Sequence, residues 1–280
     1  MLDSRIRLKH AWLGGILAFL IPGAGHLYQG RYFKAAVYFC CILGLFLTGM
    51  ALAEWQAVQA PPKKALASGK GGALLKYAAQ SGVGLPVLFA LVQRERLESP
   101  ENARTTTLHS KMVTPFTGTI SYLDESGNHT GKVTGTLSLA PISGQFGNQG
   151  ITGEFTGKLD DQAITFALSD HVELGPPISA RKERPLAAGL VREQNGRKEE
   201  IGHLYGMIPR AFWNWFEVPM DEEEDEDLHR RLGKFHELAM VFTWVAGLLN
   251  VLAIWDAVEG PAYGFGDETL PAGGKTPETA

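Results

Sequence analysis

The sequence predicts a membrane protein in which three or four α-helical spans carry a small inserted β domain, an α+β architecture overall. Apolar residues concentrate in three stretches, near residues 11–57, 72–93 and 238–258. Residues 94–237 hold most of the charged and turn-forming residues. The first part of this polar stretch alternates apolar and polar residues with the period of two that is typical of β-strands. We therefore expect an antiparallel β-meander or barrel-like domain between membrane helices.

Composition and charge exclude some classes of function. The chain is 45% hydrophobic and 20% charged, which is ordinary on average, so the segregation of apolar residues carries the information. A net charge of −4 without a basic stripe gives no electrostatic surface for nucleic acid, and we expect no nucleic-acid partner. Cys40 and Cys41 are adjacent in an apolar run, so by themselves they cannot close a loop or form a tetrahedral metal site.

Two apolar runs are the strongest candidates for membrane spans. Residues 238–257 contain only Thr243 and Asn250 as polar interruptions before Asp256 closes the run. Residues 35–52 contain no charge and extend through Trp55 to about twenty residues, which suits a hydrocarbon core of about 30 Å. Both runs predict membrane-spanning helices.

A third span is predicted at residues 74–92. Lys76, Gln80 and Pro86 would lie in or near lipid there, although a lysine can extend its amine to the interface and a proline is tolerated beside other helices. The alternative is a helix packed on the membrane surface.

The first apolar run, residues 11–21, is too short to span a bilayer unless its helix continues through Pro22 to about Tyr28. Its basic start and the small residues that follow it are also typical of a secretory signal peptide. A retained hairpin is favoured because another apolar run begins at Ala35. With four spans, the nearby Lys and Arg residues divide six against eight between the two sides, so the positive-inside rule leaves the side of the insert open.

These runs predict five successive regions. They are an N-terminal membrane hairpin (1–57), a loop and third membrane helix (58–96), an inserted β-rich soluble domain (97–220), an acidic lead with the final membrane helix (221–260), and a disordered tail (261–280).

Four strands are expected in the insert, near residues 116–123, 132–139, 151–159 and 163–168, with a weaker one at 186–192. Glycines recur on the apolar face of the first three strands and lie next to threonines of the other face. Glycine at such positions is typical of strongly curved sheets, so a small barrel or tightly curved sheet is predicted.

Residues 208–216 form the densest aromatic cluster of the chain. The cluster could lie against the bilayer or pack on the β domain, and both interpretations stay open. The acidic run 221–227 is expected in the first turns of a helix that runs from about Glu222 through the last span, where acids favour the helix dipole. His229 and His236 share a helical face but have no third ligand at suitable spacing, so no zinc site is predicted.

The chain contains no Gly-x-Ser-x-Gly, His-Glu-x-x-His or Cys-x-x-Cys sequence, and we predict no catalytic residue, cofactor or metal site. The residues singled out belong to a structural motif at the two membrane ends of the chain. His26 could coordinate an ion, donate to a helix end or face the interface, and Asp256 could reach water or pair with Arg31 or Lys34. The complete motif is Pro22, Gly23, Gly25, His26, Tyr28, Gly30, Asn250, Trp255, Asp256 and Gly260.

The corner at residues 22–30, Pro-Gly-Ala-Gly-His-Leu-Tyr-Gln-Gly, resembles the Gly-rich turn of small paired-transmembrane-helix modules. The Trp255-Asp256 pair resembles the end of the second helix of such modules. Together with residues 248–261, the pattern is similar to an uncharacterised bacterial integral-membrane family, a domain of unknown function found mainly in planctomycetes. The resemblance implies a bacterial inner-membrane location and transfers no catalytic residue. Unlike the paired module, this chain places about 180 residues between the two ends.

The expected function is a non-enzymatic scaffold or binding protein that presents the β domain at the membrane surface. Its expected partners are the lipid bilayer and a protein bound through the β domain. The alternatives are a ligand-binding or enzymatic β domain, or a small transporter-like component. A transporter would need polar residues inside the helical bundle, and the sequence offers Lys76, Gln80, Asn250 and Asp256.

Overall fold

A computed structural model describes residues 9–63, 71–102, 108, 110–124, 127–143, 149–159, 162–194 and 197–259. The chain divides into two compact units. The helical unit comprises the chain up to Glu95 and from Glu217 onward, and the barrel unit is Arg96–Phe216. Gly260 and the predicted disordered tail lie outside the described residues.

The described helices are, in chain order, α1 (Ala11–Leu20), α2 (Ala24–Tyr28), α3 (Tyr32–Leu52, with a π-helical turn at Phe39–Leu43), α4 (Gly71–Ser81), α5 (Leu85–Leu97), α6 (Glu222–Leu232) and α7 (Lys234–Glu259). Acidic residues fill the first turn of α6, and the Asp221 side chain accepts a hydrogen bond from Glu224 N at 2.8 Å. The single helix predicted from about Glu222 is divided at Gly233, which has a φ of +52°.

Two of the described helices, α3 and α7, are long and apolar enough to cross a membrane. Their 21 and 26 residues correspond to lengths of about 31 and 39 Å, against a hydrocarbon core of about 30 Å. They coincide with the two strongest span predictions. The finer prediction of three or four spans is not confirmed.

The first apolar run does not continue as a helix through Pro22. α1 ends at Leu20, and the chain turns at Gly23, which has a φ of +83°, before α2 runs back along α1. A Cβ atom on Gly25 would overlap Gly14 O of α1, so only glycine permits this approach. Pro22 thus lies at the tip of a short helical hairpin.

The predicted third span is also divided. α4 ends at Ser81 and α5 begins at Leu85, with Gly84 at a φ of +89° between them. The Tyr77 hydroxyl of α4 donates to Val87 O of α5 at 3.0 Å, which ties the two helices together. Gly84 adopts the left-handed conformation that commonly follows the end of a helix. Pro86 lies in the first turn of α5, where a backbone amide has no partner within the helix, so its missing N–H costs nothing.

The faces of α7 are inverted relative to a helix of a water-soluble protein. Its buried residues recur at intervals of three and four and are small or polar, which suits close packing of helices in lipid. They are His236, Ala239, Thr243, Ala246, Gly247, Asn250, Ala253 and Ala257. The exposed residues are large and apolar, and include Leu238, Val241, Val245, Leu248, Val251, Leu252 and Trp255.

The barrel unit contains six strands that form a closed antiparallel barrel in the order β1-β2-β3-β4-β5-β6. The strands are β1 (Met112–Asp124), β2 (Gly127–Ser143), β3 (Gln149–Leu159), β4 (Gln162–Leu174), β5 (Glu183–Gln194) and β6 (Arg197–Pro209). The predicted inserted barrel is therefore confirmed. Sequence reasoning missed β6, whose charged start and two glycines weaken the β-pattern.

Paired glycines make room for two phenylalanine rings inside the barrel. Gly118 is paired with Gly206, and Gly135 with Gly157. The Phe116 ring lies over the first pair, where a Cβ on Gly118 would come within 2.7 Å of it. Phe155 covers the second pair, and the two rings meet edge to face at 5.5 Å. The glycines beside threonines thus have an architectural role, since large side chains fill the interior.

Candidate functional site: polar contacts inside the helical unit

The first cluster of polar contacts joins the N-terminal hairpin to the end of α7. A turn at Gly30, with a φ of +83°, follows α2, and Arg31 N donates to His26 O at 2.9 Å. This turn directs the fully buried His26 ring toward Asp256, and Nε2 lies 2.8 Å from Asp256 Oδ2. The Tyr38 ring packs on the His26 ring at 4.7 Å.

Asp256 is shared among several donors. Arg31 lies 3.4 Å from its carboxylate and donates to its main-chain oxygen at 3.2 Å. Lys34 Nζ lies 3.7 Å away, and the Tyr38 hydroxyl donates at 3.5 Å. Arg31 is buried, and a buried guanidinium requires a paired anion. The arrangement holds two chain segments together, with Asp256 paired to Arg31 and Lys34 while 21% of its side chain stays exposed.

The remaining motif residues surround this corner in different ways. Gln29 donates to Ala257 O, which adds a second link to α7. The Lys9 amine lies over the Tyr28 ring at 5.2 Å. Trp255 is exposed on the outer face of α7, and Pro22 lines an apolar groove with Leu20, Ile21, Leu43, Leu85 and Pro86. Within the described residues, no group of three or more His, Cys, Asp or Glu could hold a metal ion.

The second cluster lies at Asn250, which is fully buried in α7. Its Nδ2 donates to Ala18 O of α1 at 3.0 Å and to Gly82 O, just after α4, at 2.8 Å. The last carbonyl groups of a helix have no partners within that helix, so one amide here satisfies two helix ends. Asn250 Oδ1 is buried and has no hydrogen-bond partner in the described part of the chain.

The α1–α2 hairpin and the α4–α5 hairpin meet at the level of Asn250. The glycine at the start of α5, Gly84, packs against Phe19 O at the end of α1. α5 then leads to the opposite end of the unit, where Arg94 donates to Pro61 O at 3.2 Å and Arg231 pairs with Glu54 at 3.0 Å. Asn250 lies about 24 Å along α7 from Lys234, so the junction is well inside the helical unit.

A third cluster lies nearer the Glu54 end. Gln80 of α4 donates to Thr243 Oγ1 at 2.8 Å and to Ala57 O at 2.9 Å. His236, Thr243 and Asn250 follow one another at intervals of seven residues along α7 and therefore share one helical face. This spacing could have predicted a buried polar face on α7 from the sequence, but sequence reasoning did not use it. Lys76, which sequence reasoning named as a possible polar residue inside a transporter bundle, is exposed on α4.

Glu217, which sequence reasoning did not identify, lies where the chain re-enters the helical unit. It is fully buried with a φ of +53°, and neither carboxylate oxygen has a hydrogen-bond partner in the described part of the chain. Burial raises the pKa of this carboxyl to about 9, so it is protonated at neutral pH. No local pattern distinguishes it from the exposed glutamates nearby.

The sequence model of a family of unknown function, DUF6677, matches residues 13–267. The chain belongs to this family. The expectation of an uncharacterised family is thereby confirmed, while the bacterial and planctomycete attributes stay predictions. No curated protein and no solved structure matches the chain.

The DUF6677 match includes both units and all three polar clusters. Its range begins within α1 and extends beyond the end of α7, so the corner at Asp256 and the junction at Asn250 both lie inside it. Membership of this family does not define a molecular role.

Proposed function

We propose that this DUF6677 protein is an integral membrane protein, located in the bacterial inner membrane, that acts as a non-enzymatic scaffold. The helical unit anchors the chain in the lipid bilayer, and the barrel unit binds a protein partner at the membrane surface. The observation that carries the proposal is the inverted arrangement of α7, with small and polar residues inside and large apolar residues outside.

The outer surface of the helical unit exposes many large apolar side chains. Leu, Val, Phe and Trp side chains are exposed on α1, α3 and α7 and would form a large apolar surface in water. Exposing apolar surface to water costs a free energy of about 25 cal/mol per Å². A bilayer removes that cost. Inside the unit, Asn250 and Gln80 donate hydrogen bonds to backbone carbonyls and to the Thr243 hydroxyl, which is the kind of internal pairing that a chain in lipid requires.

Alkaline carbonate extraction of membranes from expressing cells tests the anchor. We expect the full chain to stay in the membrane pellet. Release into the supernatant would refute membrane integration.

The topology can be tested with single cysteines in a Cys40→Ala, Cys41→Ala background. The fold predicts that cysteines at His10 and Glu259 react with a membrane-impermeant reagent from one side, and a cysteine at Gln59 from the other. In the sequence, six basic residues flank the Asp256 end (Arg5, Arg7, Lys9, Arg31, Lys34, Lys275) and eight flank the other (Lys63, Lys64, Lys70, Arg94, Arg96, Arg230, Arg231, Lys234). The positive-inside rule therefore favours a cytoplasmic barrel.

The outer face of β1 and β6 is the proposed partner surface of the barrel. The interior is filled by the apolar core, so binding must use the outside. Tyr205 and Met207 are exposed on β6 and lie beside Thr119 and Thr117 of β1, and the exposed Lys132 of β2 is paired with Thr119. Exposed aromatic and Met side chains are enriched at protein interfaces.

A photo-crosslinking residue at Tyr205 tests this surface in living cells. The control position is Thr165 on β4, which is exposed on the far side of the barrel. We expect a discrete crosslinked protein band from Tyr205 and none from Thr165. Equal or absent crosslinking at the two positions would refute a partner at this face.

A transporter-like component is the second candidate, and the meeting of two interrupted helices at Asn250 favours it. Interrupted helices inside a bundle frequently form solute or ion sites in transporters. Swelling of proteoliposomes in glycerol or potassium salt tests this function. A flux that Asn250→Leu abolishes in folded protein would support the transporter over the scaffold, and no flux above protein-free liposomes would exclude transport of these solutes.

A further inference from the structure

One end of the barrel unit carries a preorganised surface that no function above uses. It comprises residues 175–182, residues 211–216 and Arg96, and we name it the platform. The buried Arg210 holds its first loop, because the guanidinium donates to Pro176 O at 2.9 Å and Pro177 O at 3.1 Å. It also donates to Arg181 O and to Glu183 O, the latter at 2.8 Å. Five donors in a rigid fork fix the loop at several points.

Further contacts join the other parts of the platform. Asn102 accepts from Ile178 N at 2.9 Å and donates to Ile178 O at 3.1 Å. Arg96 donates to Trp213 O at 2.7 Å and to Asn214 Oδ1 at 2.8 Å, and Ser179 N donates to Asn214 O at 3.1 Å. The loop, the aromatic segment and Arg96 are therefore one connected structure.

The surface of the platform combines aromatic rings with cations. Trp213 is 61% exposed and Phe212 is 41% exposed, although each packs against neighbouring rings. Arg181 and Lys182 are exposed, and the Lys182 amine lies over the Trp215 ring at 5.4 Å. Exposed Trp next to Lys and Arg is the side-chain chemistry that proteins use at the interface between membrane and water.

The platform contains the two points at which the chain passes between the units. Arg96 directly follows Glu95, and Phe216 directly precedes Glu217, so both covalent links between the two units belong to the platform. The β1–β2, β3–β4 and β5–β6 hairpins lie at the other end of the barrel. If the helical unit is embedded in lipid, the two chain segments that emerge from the headgroups of one leaflet continue directly as the platform.

We propose that the platform binds anionic phospholipid headgroups of that leaflet. Arg181 and Lys182 contact the phosphate groups, while Trp213 and Phe212 insert among the lipid carbonyl groups. Charge complementarity and the continuity of the platform with the anchor select a lipid surface over a soluble partner. This inference rests on the proposed membrane function and adds a lipid partner to it.

Fluorescence quenching on the full chain in nanodiscs tests the inference. The probe is an environment-sensitive dye at Ala211→Cys in the Cys40→Ala, Cys41→Ala background, and the nanodiscs contain lipids with nitroxide-labelled headgroups. We expect quenching in phosphatidylcholine to rise about twofold when phosphatidylglycerol is added, since each basic residue near an anionic surface contributes attraction. The same dye at Asn128→Cys, at the opposite end of the barrel, should show no such change.

Charge reversal provides matched variants. Arg181→Glu with Lys182→Glu should abolish the increase, whereas Lys132→Glu, an exposed lysine on β2, should leave it unchanged. If the double variant fails to fold, Trp213→Ser serves instead, because it keeps the backbone oxygen to which Arg96 donates at 2.7 Å.

The inference would be overturned if quenching at Ala211→Cys does not rise when phosphatidylglycerol is added. It would also be overturned if the rise persists in folded protein that carries the charge reversal. An equal response at Asn128 would overturn it too. The proposed function fails separately: a chain extracted by carbonate was never anchored, whereas an anchored chain without the Ala211 response refutes the lipid-binding platform alone.

Discussion

The two units of this DUF6677 protein distribute the same residue types in opposite ways. The barrel unit encloses Phe116 and Phe155 and exposes threonine rows, as a protein in water does. The helical unit encloses Asn250 and Arg31 and exposes residues such as Phe33 and Leu252. The contrast is the one expected if water surrounds the barrel unit and, as proposed, lipid surrounds the helical unit. Four tests can break or sharpen this contrast.

The largest effect is expected at the close approach of α1 and α2. Gly25→Leu should remove most of the carbonate-resistant protein, because a side chain there would overlap Gly14 O and separate the hairpin. His26→Ala should lower the level less, since it removes one hydrogen bond to Asp256. Immunoblots of membrane pellets measure both, and wild-type levels for both variants would contradict this account of the corner.

The second test makes one change in each unit. Phe155→Ala should destabilise the barrel by about 3–5 kcal/mol, because it leaves a cavity in a filled core. Phe33→Ala removes a side chain that is 74% exposed and should leave the stability within about 0.5 kcal/mol. Hydrogen exchange of the β3 amides measures the effect of Phe155→Ala, and hydrogen exchange of the α3 amides measures the effect of Phe33→Ala. A large effect of Phe33→Ala would mean that this surface is packed rather than lipid-facing.

The third test concerns charge inside the helical unit. Asp256→Asn removes the anion that faces Arg31 and should cost about 1–3 kcal/mol, reduced from a fully buried pair because Asp256 is partly exposed. Glu259→Gln, an exposed change near the same helix end, is the matched control. Thermal unfolding in detergent compares them, and equal midpoints would show that the Asp256 contacts contribute little.

The fourth test concerns pH. The pKa of Glu217 is raised from its ordinary 4.5 to about 9, so the folded state retains a proton that the unfolded chain loses within this window. The free energy of unfolding should therefore fall as the pH rises from about 4.5 to about 9. Glu217→Gln keeps a neutral side chain of similar shape and should lack this contribution. If the thermal midpoints of the wild type and of Glu217→Gln change with pH in the same way, Glu217 is not buried and protonated.

Sequence patterns predicted the local elements better than their ends. The runs at α3 and α7 and the first four strands were identified because hydrophobic periodicity is a local property. The same reasoning predicted one continuous helix over residues 74–92, although Gly82, Gly84 and Pro86 divide it. A hydropathy pattern records composition and does not show where the backbone turns. Asn250 and Asp256 were singled out as polar residues in an apolar run, but their partners lie more than 160 residues away.

The sequence by itself determined which segments are apolar enough for lipid, which alternate as strands, and that both membrane ends carry unusual polar residues. These properties depend on neighbours along the chain. The tertiary structure alone decided that β6 closes the barrel onto β1, that Asn250 satisfies two helix ends, and that Glu217 is buried without a hydrogen-bond partner in the described chain. Each depends on contacts between segments far apart in sequence, whose geometry arises only when the whole unit packs.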